Sequence, residues 1–229
     1  MGLTQFNSAG NHSVLVAISP HLDDVVLGCA DLVGANRGAL VVTVTAGVPP
    51  PHALTGWDQA CGFGEGDDVV GARRREDEAA LARLGAVPRW LDFLDRQYAG
   101  GASPDPPAVA AALADVIEGE GAGLVALPLG LQHPDHLATA AACHEVARRM
   151  PSVRWIVYED AIYRRDAGAT EQALRALGEA GFTLEALEVP RDGRKGEAVA
   201  CYTSQLKGLG DLVQDAAGPE RYWVLGSKR

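Results

Sequence analysis

Val14-Leu15-Val16-Ala17-Ile18, followed at once by Ser19-Pro20-His21-Leu22-Asp23-Asp24, decides how this chain is read. A short unbroken apolar run of this kind suits a strand buried on both faces of a parallel sheet. The polar cluster after it places one imidazole and two adjacent carboxylates at the strand end, where open α/β sheets build their sites. Much later, Leu124-Val125-Ala126-Leu127-Pro128-Leu129 leads to His133-Pro134-Asp135-His136. Two strand ends that each release His and Asp at short spacing are expected to be halves of one metal site.

Working outward, apolar runs suited to strands occur at 14–18, 39–44, 90–93, 124–127 and 155–158, with helical spacing over 24–35, 68–84, 107–119, 135–149 and 170–180. This alternation predicts a single α/β domain over residues 1–229: a mostly parallel, Rossmann-like sheet with helices on both faces. The Gly- and Pro-rich stretch 46–67, which contains Trp57, is long for a connection and reads as a rim or lid. Arg96–Pro107 is a second such loop.

The chain carries 30 acidic against 20 basic side chains, a net charge of −10, which argues against nucleic acid as a partner. Met1–Gly10 has no secretory pattern and no apolar stretch reaches membrane-spanning length, so a cytoplasmic protein without a membrane partner is expected. Cys29, Cys61, Cys143 and Cys201 form no C-x-x-C pair and read as reduced thiols, with Cys61 accessible in its loop. Assembly into a homo-oligomer is left open.

The spacing carries the chemistry. Residues three apart on a first helical turn face one side, so His21 and Asp24 can converge while Asp23 points elsewhere. His133 and His136 repeat the spacing. One of that pair, added to His21 and Asp24, gives two imidazoles and a carboxylate, which leaves an open position on Zn²⁺ as catalytic zinc requires. Each fragment alone has a plainer reading: Asp23 or Asp24 as a helix N-cap, and His-x-x-His as a chance surface pair. A dinucleotide site is disfavoured, because no G-x-G-x-x-G opens the first helix.

The motifs resemble those of the PIG-L/LmbE-like zinc-dependent deacetylases. Pro20-His21-Leu22-Asp23-Asp24-Val25-Val26-Leu27-Gly28-Cys29 is similar to the family's Pro-His-Pro-Asp-Asp-Glu segment, and His133-Pro134-Asp135-His136 matches its His-Pro-Asp-His in full. The likeness continues through Trp57-Asp58, Arg73-x-x-Glu76, Asp95, Tyr158-Glu159-Asp160 and Tyr202-x-Ser204-Gln205. It implies the LmbE-like fold, with His21, Asp24 and His136 as ligands of Zn²⁺ (Fe²⁺ suits the same set). It also implies Asp23 as general base and His133 as acid or oxyanion stabiliser. Arg73 and Asp95 would lie near a sugar, although Arg73 has the plainer option of pairing with Glu76 or Asp77 along its helix. Trp57 offers a stacking face.

Leu22 and Val25 depart from the pattern without removing a ligand. Leu131 stands where some of these enzymes carry an oxyanion tyrosine, a charge that then falls to the metal and His133, or to a tyrosine from elsewhere such as Tyr163. The implied reaction is removal of an acyl group, acetyl first, from an N-acylated amino sugar or a sugar-containing small molecule. The alternatives are an amidase acting on a larger amide such as a thiol conjugate, and a metal-bearing sugar-binding module without catalysis.

Overall fold

A computed structural model describes residues 14–51 and 54–228; the N-terminal segment read above as lacking a leader lies outside them. Seven strands form one sheet: β1 (Leu15–Ser19), β2 (Leu40–Thr43), β3 (Val87–Trp90), β4 (Leu124–Pro128), β5 (Arg154–Tyr158), β6 (Phe182–Leu187) and β7 (Tyr222–Ser227), in the order β3-β2-β1-β4-β5-β7-β6. β1 to β5 are mutually parallel, and β7 is antiparallel to both of its neighbours.

The period-2 rule of strands divides the apolar runs between two cores. Val16, Ile18, Val42, Val125, Leu127, Trp155 and Val157 enter one, against α5 (Pro106–Gly119), α6 (Pro134–Arg149) and α7 (Ala167–Glu179). Leu15, Ala17, Val41, Ala126, Ile156 and Tyr158 enter the other. That face is covered by α1 (Asp24–Gly28), α2 (Ala30–Ala35), α4 (Val69–Leu84) and α8 (Lys195–Val199). Helices therefore lie on both faces, as expected. Among the described residues no helix is long and apolar enough to cross a membrane.

The structure corrects several boundaries. The third strand is Val87–Trp90 rather than 90–93, and its exposure alternates because it is the sheet edge and is covered on one face only; an edge also tolerates Pro88. The single helix expected over 24–35 is two, broken at Cys29. The Glu220 carboxylate accepts the backbone N–H groups of Ala30 and Asp31 (3.0 and 2.9 Å), which starts α2 afresh. β6, β7, α8, α9 (Thr203–Leu209) and α10 (Val213–Ala216) were not anticipated. Cys61, expected to be accessible, is buried, with the Gln205 amide 3.6 Å from its sulfur.

Candidate metal and active site

The strand order reverses between β1 and β4, which opens a crevice beyond their carboxyl ends. Both His-bearing segments empty into it. After β1 the turn is fixed by side chains: Ser19 Oγ donates to the His21 carbonyl (2.6 Å) and accepts the Val25 N–H (3.1 Å). Thr45 Oγ1 donates to the Pro20 carbonyl (2.7 Å). The His21 N–H donates to Asp24 Oδ2 (2.9 Å), and His21 Nδ1 lies 3.2 Å from the same oxygen. His21 and Asp24 do converge, but through the turn that precedes α1 rather than along a helix face. Asp23 directly precedes α1, yet its side chain makes no capping hydrogen bond, so the plain N-cap reading fails for it.

After β4 the chain passes Gly130 (φ 82°) and then Gln132, the one non-glycine residue with positive φ (54°) among those described. The His133 N–H donates to the Leu131 carbonyl across it (2.6 Å), a strained three-residue turn of the sort found at functional sites. His133 caps α6, its Nδ1 accepting the Asp135 N–H at 3.3 Å. One turn on, buried His136 places Nδ1 2.5 Å from Asp160 Oδ1, and its Nε2 reaches to 3.1 Å from Asp24 Oδ2. The three imidazole centroids are 4.9, 5.1 and 5.5 Å apart, and one nitrogen of each lies within 4.8 Å of the others.

Gly130 allows this approach. A Cβ there would sit 2.6 Å from the Ala140 Cβ, in a backbone conformation that L side chains rarely adopt. Gly130→Ala is expected to lower stability by on the order of 2 kcal/mol, read as a lower urea midpoint with an unchanged slope.

Two carboxylates back the histidines: Asp135 Oδ2 lies 3.2 Å from His21 Nε2, and Asp160 faces His136 Nδ1. A metal-bound imidazole is ordinarily held in this way through its other nitrogen. Sequence reading did not assign either residue a role, although both lie in quoted motifs. Asp23, Asp24, Asp95, Asp135 and Asp160 are all buried around the crevice, a concentration of negative charge that calls for a cation. Burial, and after it the charge of Asp24, pushes Asp23 up to about 6. Against the opposing effect of burial, Asp24 and Asp160 raise His136 to about 9, so proton and metal would compete for its Nε2. That Nε2 is fully buried and makes no hydrogen bond, its 3.1 Å approach to Asp24 being misaligned for one. Two nitrogens and a carboxylate oxygen, one nitrogen unpartnered, are donors that fit Zn²⁺.

The remaining predicted residues line the same cavity of about 410 Å³. Arg73 turns inward from α4, its Nη1 3.7 Å from Asp95 Oδ2; Glu76 instead binds Thr203 and Ser204. Asp95 accepts the backbone and side-chain N–H groups of Gln97 (3.0 and 2.9 Å). Trp57 rides on the short α3 (Gly56–Ala60) with its indole N–H donated to Gln205 Oε1 (3.2 Å). Ile162, Leu209 and Leu212 form an apolar wall, and Tyr163 sits edge-on to His136. Leu131 is buried in the core.

No curated protein matches the chain in sequence. In structure it is similar to a triple-mutant deacetylase of the teicoplanin biosynthetic pathway, with 28% identity and a TM-score of 0.76 over 94% of this chain and 99% of that one. It is also similar to the A40926 pseudoaglycone deacetylase (26%, 0.73, 96% and 99%). A third similar structure is the zinc-inhibited form of a teicoplanin deacetylase (25%, 0.75, 94% and 99%). The family model PIG-L, GlcNAc-PI de-N-acetylase, matches residues 16–147, more than half of the chain. The protein is thus a hydrolytic N-deacetylase by type, and the chain belongs to the PIG-L family.

Proposed function

We propose that this protein is a metal-dependent deacetylase that removes the acetyl group from an N-acetylated amino sugar borne on a larger molecule, with Zn²⁺ as its ion. The observation that carries this reading is the buried, unpartnered His136 Nε2 facing Asp24 Oδ2 beside His21 Nδ1, with Asp23 uncommitted next to them. His21, Asp24 and His136 hold the ion, and His133, whose Nδ1 is engaged by the helix cap, stands apart. A bound ion there supplies Lewis acidity to the amide carbonyl and makes a nearby water more acidic.

The chain's own residues do the rest. Asp23 accepts a proton from the attacking water, whose oxygen bonds to the acyl carbon. His133 keeps its proton on Nε2, because Nδ1 is an acceptor, and presents that N–H to the developing oxyanion. As the C–N bond breaks, Asp23 returns its proton to the amine. Arg73, Asp95 and Gln97 offer the sugar hydroxyls donors and acceptors, while Trp57 offers a face for stacking. The wall of Ile162, Leu209 and Leu212 favours a sugar joined to an apolar aglycone over the free sugar. A non-catalytic module would have no use for an uncommitted Asp23.

The test is acetate release from N-acetylglucosamine and from its octyl and aryl glycosides, before and after chelation. Release is expected from the glycosides first, to stop on chelation and to return with Zn²⁺. Hydrolysis that survives chelation overturns the reading.

A further inference from the structure

We infer that Arg96 is the seat for a carboxylate carried on the substrate's aglycone, at the mouth of the cavity and apart from the residues that meet the sugar; this rests on the deacetylase reading above. Two arginines line the cavity. Arg73 faces Asp95 at 3.7 Å, whereas Arg96 forms no ion pair with any described residue. Those residues include every Asp and Glu of a chain whose net charge is −10. Arg74, Arg164 and Arg194, also drawn at least partly inside, each face a carboxylate. The Arg96 Nε is sealed from solvent and makes no hydrogen bond, and Nη2 donates to the Gly101 carbonyl at 2.9 Å. Nη1 has no partner among the described residues and is not sealed in the same way. A guanidinium with some of its donors shut away from water is poorly solvated, and it gains from an anion placed at the open nitrogen.

The backbone builds this seat. The Arg96 N–H donates to Asp135 Oδ2 (3.1 Å), the carboxylate behind His21, and the Arg96 carbonyl accepts the N–H groups of Ala99 and Gly101 (3.1 and 2.9 Å). These bonds close a tight turn in which Gly100 and Gly101 both have positive φ (65° and 89°). Both glycines are exposed and both line the cavity. The guanidinium folded against Gly101 therefore stands at the mouth, past Asp95 and Gln97. A sugar held by those two residues sends its aglycone outward along this rim. The wall of Ile162, Leu209 and Leu212 takes the apolar part of that aglycone, and Arg96 takes its charge. Asp23, Asp24 and Asp95 line the same cavity, so a ligand with one negative charge is repelled less than a ligand with two. The planar guanidinium also matches a carboxylate in shape. A carboxylate thus fits better here than a phosphate.

The experiment compares the zinc-loaded protein with Arg96→Gln by calorimetry, using two free-amine ligands that need no turnover. These are para-carboxyphenyl glucosaminide and its neutral para-carbamoylphenyl counterpart. The parent is expected to bind the carboxylate about 10-fold more tightly than the neutral ligand, as for a hydrogen bond to a charged group. Arg96→Gln should lose that preference with zinc content and affinity for the neutral ligand unchanged, and Arg96→Lys, which keeps the charge, should retain part of it. A parent without the preference overturns the assignment, and so does a preference that survives Arg96→Gln, which would put the carboxylate on the ion. An equal loss for both ligands also overturns it, because Arg96 would then only brace its turn. Acetate release from the N-acetyl forms of both ligands reads the deacetylase separately. Release without an Arg96-dependent preference removes the carboxylate seat alone, and the preference without release removes the deacetylase reading alone.

Discussion

Asp23→Asn is expected to keep its metal and to lose turnover by a factor on the order of 10²–10⁴, the usual worth of a positioned general base. The substitution is nearly isosteric, and Asp23 makes no capping bond whose loss would disturb α1. What disappears is the one carboxylate in the crevice that, among the described residues, has no hydrogen-bonded partner. His136→Ala should behave oppositely. It removes a buried nitrogen beside Asp24 and takes from Asp160 the partner of its Oδ1, leaving that buried carboxylate only the Gly130 N–H, so metal content and activity fall together. Metal analysis of the two purified variants, alongside acetate release, separates the roles; equal metal loss in both would merge them.

A second large effect is expected away from the metal. Asp77, buried on α4, accepts the Trp90 indole N–H and the Tyr202 hydroxyl, each at 2.8 Å. Burial outweighs those two donors and raises its carboxyl from the ordinary 3.8 to about 7. The folded protein therefore holds a proton that the unfolded chain releases near pH 4. The associated stability is fully present below pH 4, declines as pH rises and is gone above about pH 7. The full span is on the order of 4 kcal/mol. Asp77→Asn cannot ionise, yet keeps an oxygen for Trp90 and offers its amide to the Tyr202 oxygen. Urea melts at pH 5 and pH 8 should show the variant gaining on the parent as pH rises, and parallel pH dependences would refute the buried proton.

The sequence displayed β1, β2, β4 and β5 because those strands are buried on both faces and read as unbroken apolar runs. β6 and β7 escaped for the opposite reason. Thr183-Leu184-Glu185-Ala186 alternates at the margin of the sheet, and Tyr222–Ser227 is apolar only in part. The helix break at Cys29 was invisible because its cause, Glu220, lies far along the chain. At the site, short-range pairs such as His21 with Asp24 could be read from spacing alone. The inward turn of Arg73 toward Asp95 exists only once α4 and the segment after β3 are packed together, and the meeting of His21 with Asp135 across 114 residues only once the sheet brings β1 beside β4. Gln205 carried a faint signal in its Ser-Gln pair but nothing that tied it to Trp57.

The placing of β7 between β5 and β6 has a consequence for how this enzyme would fail. Among the described residues β6 pairs with β7 alone, and the chain joining them carries Gln205, Leu209 and Leu212, which line the cavity. The histidine donors hang instead from the sheet's central strands. Fraying at that margin would loosen this wall of the cavity while His21, His133 and His136, borne beyond the central strands, kept their places.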